Sequence, residues 1–157
     1  MKRNIPHLIV ITILVIVDQA TKALVAQCVP LYGSVTVIPG FFKIAPIRNK
    51  GAIFGILSQS RGTAATMLLT AAQLLAFGLV IYYFLKTPAA QKITKIGLTL
   101  ILAGAVGNLI DRLARGYVLD FVEWHVKRFY WPTFNVADSC ITIGALVLAA
   151  AILLRRS

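Results

Sequence analysis

The sequence predicts an all-α membrane protein: four transmembrane helices with a small β-rich element on the periplasmic or extracellular side, in one domain over residues 1–157. Three observations carry this expectation. Of the 157 residues, 59% are hydrophobic and 13% charged, more apolar surface than a soluble domain of this length can hide. Several apolar runs approach the roughly 20 residues that cross a bilayer. Between the first two runs, residues 32–57 hold short β-prone pieces punctuated by Pro39, Gly40 and Pro46, as in a strand-rich element lying on the membrane.

The first span, 5–25, is polar in its outer third, at Asp18, Gln19 and Lys22. A cleaved signal ending at Cys28 is the alternative, but Gln27 suits such a site poorly and Asp18 to Lys22 interrupt its apolar core. A retained helix is therefore expected. Asp18 and Lys22, four residues apart, could be a simple ion pair at a helix end. In the loop that follows, RNKGAIFG places Asn49 and Gly51 in a turn, either an ordinary loop or a wall over a site. The second span covers 64–85 and the third 93–113.

Asp111 closes the third span, with Arg112 beside it and Arg115 one turn on, so it reads as a neutralised anchor as readily as a reactive group. The connection VLDFVEWHVKRFYWPTFN carries six Phe, Tyr and Trp residues, routine at a lipid–water boundary. The fourth span covers 137–154. Asn135 before it is a good N-cap, which puts Asp138 at the third helical position, where an acid suits the helix dipole.

An even number of spans places both termini on one side. That side holds Lys2, Arg3, Lys86, Lys92, Lys95, Arg155 and Arg156 and no acid, so the positive-inside bias puts the termini in the cytoplasm. The net charge of +11 then follows from topology and anionic lipid, with no need of nucleic acid. All five acids, Asp18, Asp111, Asp120, Glu123 and Asp138, collect at the outer face. Ionisable groups in or near a bilayer are costly and are functional candidates by default.

Two carboxylates at one site cannot both ionise freely. One keeps a proton while the other acts as base toward water, the minimum apparatus for hydrolysing a peptide bond without a nucleophilic side chain. Asp120 has no basic residue within four positions, and Asp138 begins a helix in apolar surroundings, whereas Asp111 adjoins an arginine. Asp120 with Asp138 is the preferred pair. His7 and His125, the two histidines, build neither a Ser–His–Asp set nor a metal cluster with useful spacing. No metal or cofactor is expected. Cys28 and Cys140 read as isolated thiols, although two cysteines near one face could pair.

Five motifs in order, DQATK (18–22), NKGAIFG (49–55), GNLIDR (107–112), VLDF (118–121) and FNVADS (134–139), resemble those of the bacterial lipoprotein signal peptidases, the type II signal peptidases. The resemblance spans nearly the whole chain. It implies an intramembrane aspartic endopeptidase of the bacterial cytoplasmic (inner) membrane, working near the outer leaflet. Such an enzyme cuts the signal peptide from prolipoproteins just before a cysteine bearing diacylglycerol. It also implies catalytic roles for Asp120 and Asp138 and supporting roles for Asp18, Lys22, Asn49, Gly51, Asn108, Asp111, Arg112, Asn135 and Ala137. A small sheet cradling the substrate and sensitivity to globomycin follow from the same resemblance. Asn108, Asp111 and Arg112 share one helix face and would brace the site.

Three other classes compete. A proton- or ion-coupled transporter would place acids at mid-membrane depth. A membrane scaffold would depend on small residues such as Gly104 and Gly107 rather than on Asp120 and Asp138. A presenilin-like protease would carry a glycine-rich aspartate motif, which is absent.

Overall fold

The computed structural model describes residues 4–50 and 63–155, with the side chains of 63–70 and 155 left out. In chain order it holds α1 (Ile5–Cys28), β1 (Val35–Ile38), β2 (Phe42–Asn49), α2 (Thr63–Lys86), α3 (Lys92–Arg115), β3 (Val118–Val126), β4 (Phe129–Tyr130) and α4 (Val136–Arg155). The helices α1, α3 and α4 are long and apolar enough to cross a membrane; α2 adds an apolar stretch over Ala71–Lys86.

The burial pattern is inverted relative to a water-soluble fold. Ile9, Ile13, Ile16 and Leu24 of α1 and Ile143, Leu146 and Leu153 of α4 face outward, while Asp18, Lys22, Asn108, Asp111 and Asn135 lie inside. Lipid explains both halves: it solvates the aliphatic outer face and leaves polar groups to find partners within the protein.

Helix α3 is the hub, half buried along its apolar stretch where α1 and α4 are 17% and 22% buried. Its seam with α4 is made of small residues seven apart. A Cβ on Gly97 would come within 2.9 Å of the Gly144 carbonyl oxygen, and one on Gly144 within 2.7 Å of that of Gly97. A Cβ on Gly104 would overlap the carbonyl of Ala137. The pairs Gly97–Gly144 and Gly104–Ala137 run in opposite senses, so the helices are antiparallel. The seven-residue repeat of small residues keeps one stripe of each helix at close contact.

The four strands form one antiparallel sheet in the order β1-β2-β3-β4. Strand β2 pairs with β3 through Ile44↔Val122 and then Ile47↔Asp120, so Ala45 and Pro46 take up one extra residue as a bulge. A proline inside a strand is accommodated at such a place. Beyond the bulge, Asn49↔Val118 and Ile47↔Asp120 set Asn49 and Asp120 on one face and Arg48 with Leu119 on the other. Strand β3 was not anticipated: its aromatic residues mark an interfacial belt equally well, and its first four residues are all buried, which erases the alternation a half-buried strand shows.

Because α3 and α4 meet backbone to backbone, Gly144→Val is expected to destabilise the fold by about 1–3 kcal/mol. Thermal unfolding in detergent should show a lowered melting temperature, whereas Gly78→Ala, where an added Cβ meets nothing within 4 Å, should leave it near that of the parent.

Candidate active site

The site lies where the C-terminal ends of α1 and α3 meet β3 and the start of α4. Gly116, at φ +74, takes the left-handed conformation that ends α3, its N–H returning to the Arg112 carbonyl at 3.0 Å. Two residues later β3 begins. Phe134 then pairs with Val122 as an isolated bridge, its carbonyl accepting from the Phe121 and Val122 N–H groups. That bridge delivers Asn135 beside Asp120.

Asn135 joins the two preferred acids. Its Nδ2 donates to Asp120 Oδ1 at 2.7 Å, and its Oδ1 accepts from the Asp138 N–H at 2.9 Å. The Asp138 carboxylate reaches back to the Asn135 N–H at 3.2 Å. This is a reciprocal cap with an aspartate in the third helical position. The other oxygens are held as firmly: Asn49 Nδ2 donates to Asp120 Oδ2 at 2.9 Å and Asn108 Nδ2 to Asp138 Oδ1 at 2.8 Å. Each carboxylate is thus gripped at both oxygens by neutral donors.

A second, fully charged cluster lies behind this pair. Lys22, with no exposed surface, sends Nζ to Asp18 Oδ2 at 2.8 Å, to Asp111 Oδ2 at 3.0 Å and to Asn108 Oδ1 at 3.1 Å. An ammonium has three N–H bonds, and these partners use them all. Asp18 Oδ1 accepts the Ala137 N–H at 2.9 Å, fastening the first turn of α4. Asp111 Oδ2 accepts the Leu119 N–H at 3.2 Å, fastening β3 one residue before Asp120.

Asp120 is 1% exposed. Burial pushes its carboxyl up to about 6, and the Asp138 charge adds to the rise. The Asn49 and Asn135 amides and the more distant Lys22 charge oppose it. Since the folded value lies above the ordinary one, the protonated form favours folding. That contribution is complete below about 3.8 and is lost as pH rises through about 6.

The structure therefore brings together Asp18, Lys22, Asn49, Asn108, Asp111, Asp120, Asn135, Ala137 and Asp138. Gly51 lies outside the described residues. Arg112 is half-buried, and its side chain makes no hydrogen bond or ion pair among the described residues; Arg115, one turn on, pairs with Asp111 at 3.4 Å instead. Arg112 thus does not brace Asn108 and Asp111 here. Gln19 was not singled out from sequence, yet its Nε2 donates to Asp18, the Gly107 carbonyl and Asp111 at 3.1–3.3 Å. Gly107 also belongs to the site, since a Cβ there would stand 2.7 Å from Asp18 Oδ2. Its place in GNLIDR beside the acids was the available signal. Cys28 is exposed, Cys140 is buried and both are free thiols.

Comparison with known proteins places these residues in context. The family described as Signal peptidase (SPase) II matches residues 10–154. The lipoprotein signal peptidase of Syntrophus aciditrophicus is 42% identical over 147 residues, covering 94% of this chain and 91% of that one. The lipoprotein signal peptidase of Geobacter metallireducens is 43% identical over 141 residues, covering 90% and 86%. A solved bacterial membrane enzyme, 32% identical, superposes with a TM-score of 0.80 over 94% of this chain and 92% of that one.

Asn49→Ala removes a donor that favours the Asp120 carboxylate. The carboxyl ¹³C shift of Asp120, followed from acid to neutral pH, should then titrate higher than in the parent by roughly half to one pH unit.

Proposed function

The chain belongs to the signal peptidase II family, whose peptidases remove signal peptides from prolipoproteins, and on that premise we propose that it works as an intramembrane aspartic endopeptidase with Asp120 and Asp138 as its catalytic pair. The substrate is a diacylglyceryl-modified prolipoprotein, cut just before the lipidated cysteine. The reading is carried by one observation: Asn135 hydrogen-bonds Asp120 through its side chain while capping Asp138, so a buried and a half-buried carboxyl are held by a shared neutral group.

The chemistry follows from that arrangement. The pair titrates as a unit and holds one proton at neutral to mildly acidic pH. Asp120, raised to about 6, is the member assigned that proton, which it offers to the scissile carbonyl oxygen. The ionised partner, Asp138, removes a proton from water as the oxygen attacks the carbonyl carbon. Collapse of the tetrahedral intermediate breaks the C–N bond, with a proton passing from the pair to the departing amine. Asn49, Asn108 and Asn135 hold the carboxylates without adding charge. Asp18, Lys22, Asp111 and Ala137 fix the elements that bear them, and Gly51 and Arg112 are assigned supporting roles in shaping the site through the family resemblance. Globomycin-type inhibitors would occupy the same site.

In this reading α2 is the fourth span, both termini are cytoplasmic, and the site opens near the outer leaflet of the bacterial inner membrane. The sheet lies over the membrane face and cradles extended peptide. The acids gather at one end of the helices rather than at mid-depth, which favours peptide cleavage at the interface over ion transport.

The test is cleavage of a synthetic prolipoprotein by the purified chain, with and without diacylglycerol on the substrate cysteine. Asp120→Asn and Asp138→Asn should each lower turnover of the lipidated substrate about 10²–10⁴-fold while the protein remains folded. Asp111→Asn, compared per folded molecule, should keep most of it. Equal loss in all three variants, or lipid-independent cleavage, would contradict the proposal.

A further inference from the structure

A concavity opens on the opposite face of the sheet from Asp120. It has a volume of about 330 Å³, and its apolar lining includes Ala26 in the last turn of α1, Val29 and Leu31 just after that helix, and Leu119 of β3. Arg48, Arg115 and Tyr117 stand at its polar side. Register explains why it is separate from the acids. Arg48 pairs with Leu119, whereas Asn49 and Asp120 point to the other side of the sheet.

Its depth is fixed by the helices. Ala26 lies in the last turn of α1 and Arg115 closes α3, two helices long and apolar enough to cross the bilayer. The cleft therefore sits at the boundary between hydrocarbon and headgroups. No acid lines it. Arg115 is partly neutralised by Asp111 behind it, at 3.4 Å. Arg48 has no acid partner among the described residues, and its guanidinium lies over the Tyr117 ring at 4.8 Å. Stacking of that kind orients the plane and leaves its N–H edges available, the geometry that takes a phosphate oxygen pair. An apolar floor below two guanidiniums matches an acyl chain below a phosphodiester, and their charge matches an anionic headgroup.

We propose that this cleft is a binding site for one anionic phospholipid, its phosphate on Arg48 and Arg115 and the start of an acyl chain on Ala26, Val29 and Leu31. The site is distinct from the proposed peptidase centre and does not depend on that reading; its test reads binding and makes no use of cleavage.

The full chain, purified in a neutral detergent, would be melted while phosphatidylglycerol, phosphatidylcholine of the same chains, or inorganic phosphate is titrated in. Phosphatidylglycerol should raise the melting temperature by about 3–5 °C at roughly ten times its dissociation constant, and phosphatidylcholine should not. Arg48→Gln should weaken the phosphatidylglycerol response at least about tenfold in concentration. Leu31→Trp, which fills the cleft without altering charge, should do the same and serves if Arg48→Gln does not fold. Equal responses to the two lipids, an equal response to inorganic phosphate alone, or an unchanged response in a folded variant would overturn the proposal.

Discussion

The architecture depends on one buried ammonium. Lys22 Nζ has no contact with solvent and spends its three N–H bonds on Asp18, Asp111 and Asn108. Removing an ammonium from water costs several kcal/mol unless close partners replace the lost hydration. The partners must therefore stay, and each is tied to another element. Asp18 holds the Ala137 N–H at the start of α4, Asp111 holds the Leu119 N–H at the start of β3, and Asn108 holds Asp138. A charge on α1 thus sets the position of the strand and the helix that carry the two proposed catalytic acids.

Between that charge and the acids stand amides. Asn108 turns its oxygen to Lys22 and its nitrogen to Asp138, and Asn135 donates to Asp120. Had lysine or arginine touched the pair directly, both carboxylates would be held ionised and the shared proton lost. Neutral donors fix geometry while leaving the burial penalty in force, and Asp120 accordingly stays near 6. The compact cationic group and the neutral relay are complementary parts of one device: one supplies rigidity, the other preserves basicity. The close α3–α4 seam gives that device a stiff frame, because glycine and alanine contacts leave little room for the helices to slide.

Features that depend on neighbours in sequence were legible from it. The helices were, since a 20-residue apolar run has few alternatives in a bilayer; α1 runs on to Cys28, past the expected end at residue 25. The Asp18–Lys22 pair and the Asn135 cap on Asp138 were legible for the same reason, being separated by four and three residues. What required the third dimension was less visible. The pairing of β3 with β2 joins segments about 75 residues apart, and VLDF is buried on both faces, so no alternation betrays it. Arg112 and Arg115 are equally plausible partners for Asp111 on paper; side-chain direction in the last turn of α3 selects Arg115. Gln19 looked like a polar interruption of a span until α3 was seen to place Gly107 and Asp111 against it.

Lys22 thus organises the acids without touching the bond to be cut. Lys22→Met tests it most directly, with cleavage of a lipidated prolipoprotein and thermal unfolding measured on the same preparation. Cleavage per folded molecule should fall markedly, and the melting temperature should drop by the equivalent of a buried-charge defect of about 3–5 kcal/mol. Adding Asp18→Asn and Asp111→Asn should recover stability without recovering cleavage. Wild-type cleavage by a folded Lys22→Met protein would contradict it.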